Sequence, residues 1–249
     1  MNKMFSDKEI NNAFAKICKN YMKVMGFDNI NNVNILFTND IQNTRAKYYN
    51  PGDLIDKNVN GCFIPTSDNI ILINKNKFLE NKDSMGITII HELIHFLDYN
   101  MFLIDYCNND WNDIFNIEIS PAFSLWSEFH AKLFSLYHGR KVLTLFCDDY
   151  TEQDIINDYS TNERIKYYYE KINNKNIITY NDIFWYCAEL NICEQFNSNF
   201  DIVNLISYNL KRSFPDFVKL YNDLKEMKTY DDARKHFNSL QWKLFGWQK

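Results

Sequence analysis

The stretch IIHELIHFLDYN, Ile89 to Asn100, decides the reading of this chain. On an α-helix, residues i and i+4 lie one turn apart on the same face, so His91 and His95 can offer two imidazoles to one point. Glu92 follows His91 by about 100° of rotation, which aims it at a water held by an ion rather than at the ion itself. That is the physical content of HExxH: two metal ligands and a general base on one helix. With five His in 249 residues, composition predicts on the order of 0.005 such matches by chance. The flanking Ile87-Thr88-Ile89-Ile90 and the internal Leu93-Ile94 make the helix mostly apolar. Its polar groups would then be buried, and two His with a Glu there are costly without an ion.

A catalytic zinc site takes a third protein ligand and leaves its fourth position for water. Asp98 is nearest, but seven residues put it roughly 10 Å along the axis from His91. It reads better as an acceptor for a ligand His, or as an anchor at the helix end. Glu128 is the stronger candidate. It lies in PAFSLWSEFHAKLFSLYHG, where Ala122, Leu125, Trp126, Phe129, Leu133 and Leu136 form a bulky face. Ser124, Ser127, Ala131 and Ser135 form a narrow face of small residues, with Glu128 inside its arc. Small side chains let another helix approach closely, and a carboxylate there can reach across to His91 and His95. A rim charge at Glu128 is the plainer alternative. His130, on the opposite flank, and His138, at the helix end, are the other ligand choices nearby.

Outward from this core, Ser6 and Glu9 make a capping box for a helix whose apolar residues recur until Gly26. Asn32–Thr38 alternates as a strand does, and Cys62–Asn74 reads as two strands around a Thr-Ser-Asp turn. The motif helix runs from Asp83 or Ser84 to about Met101, and a loop spans Phe102–Ile119. Ser120-Pro121 gives an N-cap and a proline at the first helical position of a helix reaching Tyr137. Beyond Gly139 the pattern is helical: Thr151–Ile172, Asn181–Glu194, Asp201–Leu210, Ser213–Met227 and Asp231–Phe245. The fold class is α+β, divided as 1–140 and 141–249 or forming one continuous domain with the halves packed together.

Composition narrows the partners. A net charge of −5 and no long basic run argue against nucleic acid. No run of about 18 apolar residues argues for a membrane span, and MNKMFSDKEI lacks the apolar core of an export signal. The six Cys lack CxxC spacing and read as buried thiols, which points to the cytoplasm.

HELIH, followed 33 residues after His95 by Glu128 in SEFHA, resembles the gluzincin class of zinc metallopeptidases. HELIH and a gap of this size are also similar to clostridial neurotoxin light chains, and HELIHFLD…SEFHA to small single-domain peptidases. The resemblance covers residues 69–138. It implies Zn2+ held by His91, His95 and Glu128, with Glu92 as base in hydrolysis of a peptide bond in a protein or peptide. It also implies a zincin-like amino-terminal part: a small sheet, an active-site helix and a second ligand-bearing helix. The chain is much shorter than a neurotoxin light chain and lacks that family's later Arg-x-x-Tyr, so a neurotoxin-like substrate is not implied. A donor for the oxyanion stays open among Tyr167–Tyr169, Tyr137, Arg140 and His236, each of which reads equally as packing or surface.

The strand NIILIN before the motif helix reads either as a sheet edge lining the cleft, where an extended peptide could pair, or as a core strand. Two other functions compete: a metal-containing but non-hydrolytic protein-binding module, and a metal-free helical interaction protein. The retained Glu92 speaks against the first. Against the second, Phe217, Leu220, Tyr221, Leu224, Phe237, Leu240 and Leu244 read as core, and Trp242 and Trp247 as packed.

Overall fold

Helix α1, Asp7–Val24, opens on the capping box that the sequence predicts: Ser6 Oγ accepts from the Glu9 amide, and the Glu9 carboxylate accepts from the Ser6 amide. The computed structural model describes residues 6–48, 59–80, 82–145 and 149–246. It is mostly helical with a small mixed sheet, an α+β arrangement.

Among the described residues the sheet has three strands: β1 (Asn34–Thr38), β2 (Gly61–Ile64) and β3 (Ile70–Asn74), with the short helix α2 (Ile41–Arg45) after the first. Their order is β1-β3-β2, with β3 parallel to β1 and antiparallel to β2. The strand NIILIN is therefore central, so of its two readings the core strand holds and the sheet edge does not. Every residue of β3 is buried, and an unbroken apolar run is what a strand covered on both faces requires. The edge is β2.

From β3 the chain passes through α3 (Lys75–Glu80) into α4 (Lys82–Tyr106), the helix of the HExxH motif. It turns through residues 107–119 and returns as α5 (Ser120–Leu143). Gly86 lies beside Gly139, His95 beside Ser127 and Phe102 beside Phe123, so the two helices are antiparallel. Both outlast their expected ends. Helix α4 continues to Tyr106 because Phe102 and Leu103 are buried. Helix α5 runs past Gly139 because that glycine is a contact point: a Cβ there would stand 2.4 Å from Ile87 Cα, and one on Gly86 would stand 2.2 Å from the Gly139 carbonyl oxygen. Ile119, not Ser120, is the cap of α5, since the Ser120 hydroxyl donates to the Ile114 carbonyl instead. By length and composition Ser84–Tyr106 is apolar enough to cross a membrane, but 56% of its most apolar stretch is buried within the protein.

The remaining helices are α6 (Glu152–Ser160), α7 (Asn162–Asn173), α8 (Tyr180–Phe196), α9 (Tyr208–Ser213), α10 (Phe217–Lys225), α11 (Tyr230–Ala233) and α12 (Phe237–Phe245). Three expected helices are each broken in two. Thr161 adopts extended backbone and caps α7, a 3-10 turn at Ile202–Leu205 precedes α9, and His236 separates α11 from α12. Helix α8 is buried along most of its length and packs on the bulky face of α5, where Trp126 and Phe129 are fully enclosed. The seven apolar residues of α10 and α12 that the sequence assigned to the core are buried. Trp242 is 57% exposed, contrary to expectation, and Trp247 lies outside the described residues. Cys18, Cys107, Cys187 and Cys193 are buried free thiols and Cys62 is a half-buried one, while Cys147 lies outside the described residues.

Candidate metal centre

The close approach of α4 and α5 faces the HExxH helix with the small-residue side of α5. His91 and His95 meet at Nε2 to Nε2, 3.0 Å apart. Across the interface, Glu128 places Oε2 3.6 Å from His91 Nε2 and Oε1 3.5 Å from His95 Nε2. A tetrahedral ion with bonds of about 2.0–2.1 Å spaces its ligand atoms by about 3.4 Å, so this donor set fits a zinc-sized cation. Among the described residues, His91, His95 and Glu128 form a group that could hold a metal ion.

The electrostatics agree. Two ring nitrogens facing each other at 3.0 Å are joined either by one N–H donating to the other's lone pair or by a cation shared between them. Burial disfavours a charged His95, but the Glu128 carboxylate outweighs it and holds the imidazole up at about 9. Burial also acts on Glu128, yet the two imidazoles pull its carboxyl well below the ordinary range.

Behind His95 runs a chain of buried polar groups. The Ser127 hydroxyl donates to Asp98 Oδ2 at 2.9 Å, which leaves its oxygen to accept from His95 Nδ1 at 2.8 Å. A hydroxyl has one hydrogen to give, so Nδ1 of His95 carries a proton, and Nε2 is the ring nitrogen left to meet His91, Glu128 or an ion. Asp98, 2% exposed, also accepts from His130 Nδ1 at 3.0 Å. The expected contact between Asp98 and a ligand His is thus made through Ser127. His130 stacks on Trp126 and turns toward Asp98. His138 hydrogen-bonds Tyr21 Oη at 2.6 Å and stacks on Phe134. Neither joins the ligand group.

Glu92 sits beside the sheet. Its Oε2 accepts from the Phe63 amide of β2 at 2.7 Å, and burial raises its pKa above the ordinary carboxyl value. Gly61 makes room for it, since a Cβ there would come 2.8 Å from Thr88 Cγ2 and 3.0 Å from Glu92 Cγ.

These groups open into a cleft of about 700 Å³, bounded by β2 on one side and α8 on the other. None of Tyr137, Arg140, Tyr167–Tyr169 or His236 lines it. Tyr137 bonds Glu152, Arg140 pairs with Asp158, and Tyr168 is buried elsewhere. Polar side chains that do line it include Tyr99, Lys132 and Trp185. Lys132 was within reach of sequence reasoning, being one turn beyond Glu128 on the same face. Trp185 gives no local signal, because it comes from α8. Its Nε1 donates to Glu128 Oε2 at 2.8 Å.

No protein-family model, curated protein or solved structure matches this chain.

Proposed function

We propose that the chain is a zinc-dependent peptidase of gluzincin type, acting on a protein or peptide. The observation that carries this reading is the convergence of His91, His95 and Glu128 from two antiparallel helices, with Glu92 one residue along from the first ligand. A His2Glu donor set with an open cleft is that of a catalytic rather than a closed structural zinc site. When bound, zinc supplies Lewis-acid chemistry, lowering the pKa of a water to about 7 and polarising a carbonyl.

The chain's own residues then have defined tasks. The Nδ1 proton of His95, fixed by Ser127 and Asp98, keeps Nε2 available as a ligand. Glu92 takes the proton of the attacking water and delivers it to the leaving amine. The Phe63 amide holds one carboxylate oxygen, so the base is fixed by the edge strand. An extended peptide could run along that edge, which forms a wall of the cleft.

The test is zinc content by elemental analysis of protein purified without a metal-affinity tag, with cleavage of a mixed peptide library alongside. Wild type and Glu92→Gln should each carry about one zinc per chain, and Glu128→Ala far less. Glu92→Gln should cut roughly 10²–10⁴-fold more slowly than wild type. Wild type that takes up no zinc after reloading would overturn the reading.

A further inference from the structure

Helix α8 is buried along most of its length, yet Trp185 stands 36% exposed in the wall of the cleft. Its indole is fixed from several sides. Lys132 Nζ lies 5.1 Å and Lys171 Nζ 6.0 Å from the ring centroid, within range of cation–π attraction. Both ammonium groups are anchored by Glu189, one turn further along α8 and 2% exposed, which bonds Lys171 at 2.5 Å and pairs with Lys132 at 3.6 Å. The His91 ring meets Trp185 edge-on, with centroids 6.4 Å apart.

An indole N–H can only donate. Aimed at Glu128 Oε2 from 2.8 Å, it holds the carboxylate plane and engages one of its two oxygens. The other, Oε1, is left 3.5 Å from His95 Nε2. We propose that Trp185 is a positioning residue for the third ligand: its N–H sets the orientation of the Glu128 carboxylate. A helix from the carboxyl-terminal half thereby controls how tightly the α4–α5 pair holds its ion. This rests on the zinc reading above, and goes beyond it by assigning the tightness of the site to a side chain outside the ligand set.

The experiment measures zinc affinity by competition with a chromophoric chelator, in wild type and in Trp185→Phe. Phenylalanine keeps an aromatic ring in the cleft wall and lacks the N–H donor. The affinity should fall about 10–100-fold, the loss typical of removing a group that orients a metal ligand. The zinc-free variant should melt where zinc-free wild type does. A second readout needs no variant: the indole N–H resonance of Trp185, assigned in wild type, should move when zinc is added. Wild type that binds no zinc overturns the metal reading and this inference with it. Wild type that binds zinc, with unchanged affinity in Trp185→Phe or an indole resonance that zinc leaves in place, overturns the role of Trp185 alone.

Discussion

The two ends of the α4–α5 pair are held together by opposite means. At one end Gly86 and Gly139 bring backbone against backbone, with no room for a methyl group on either. At the other, Phe102 and Phe123 stack with centroids 4.0 Å apart, and Phe237 of α12 meets Phe123 edge-on. His91, His95 and Glu128 lie between. The glycine end limits how near the helices come, and the aromatic end encloses large buried rings. The difference separates two quantities usually treated as one: how strongly a pair of helices is held, and how closely its spacing is defined.

Deleting a buried ring leaves a cavity in a backbone that moves little, whereas adding an atom between two backbones forces them apart. Phe123→Ala should therefore cause the largest loss of stability, about 3–5 kcal/mol in chemical denaturation. The folded fraction should still bind zinc. Gly139→Ala should cost less, about 1–3 kcal/mol, since overpacking is partly offset by the better helix propensity of alanine. Its zinc affinity should nonetheless fall further than that of Phe123→Ala. Finding the reverse order of affinities in chelator competition would break the distinction between holding and spacing.

Ser127→Ala probes the middle of the pair. It removes the hydroxyl that joins His95 to Asp98, so zinc affinity should drop about 10–100-fold, and the zinc-free protein should lose about 1–3 kcal/mol because buried polar groups lose a partner. The smallest effect belongs to His138, beside Gly139 at the tight end. Burial, assisted by the positive charge of Lys141 and opposed by Glu152, pushes its pKa down to about 4. Between the ordinary histidine value near 6.5 and that depressed value, the unfolded chain binds more protons than the folded one. Stability should consequently fall as pH drops from 6.5 toward 4, and His138→Gln should flatten that part of the profile. An unchanged slope would show that His138 is not a brace of this end.

What could be read from the sequence followed the range of the interaction. His91, Glu92 and His95 are related by the period of one helix, so their shared face needs no tertiary information. Glu128 could be singled out because Ser127, Ala131 and Ser135 mark the side of α5 on which a neighbour comes close. The two glycines that set this approach were visible too, but a lone glycine in a helix also reads as a stop signal, which is why α5 was expected to end early. The strand order was not accessible. NIILIN pairs with β1 on one side and β2 on the other, and an apolar run records that both faces are covered without saying which edges are free. The Phe63 amide that holds Glu92 is a backbone group, with no side-chain signature at all. Trp185 is 57 residues from Glu128, and in DIFWYCAEL it resembles any core aromatic.

The same separation sets an order of events during synthesis. A ribosome that has completed α5 has released every donor atom of the site, all on one antiparallel helix pair of short contact range. The indole that grips Glu128 is added 42 residues after the end of α5, a delay of roughly 2–8 s at ordinary elongation rates. A nascent chain can thus have its ligands in reach of an ion before it has the clamp that orients one of them. Loose, exchangeable metal would come first, and the arrival of α8 would turn it into tightly held metal.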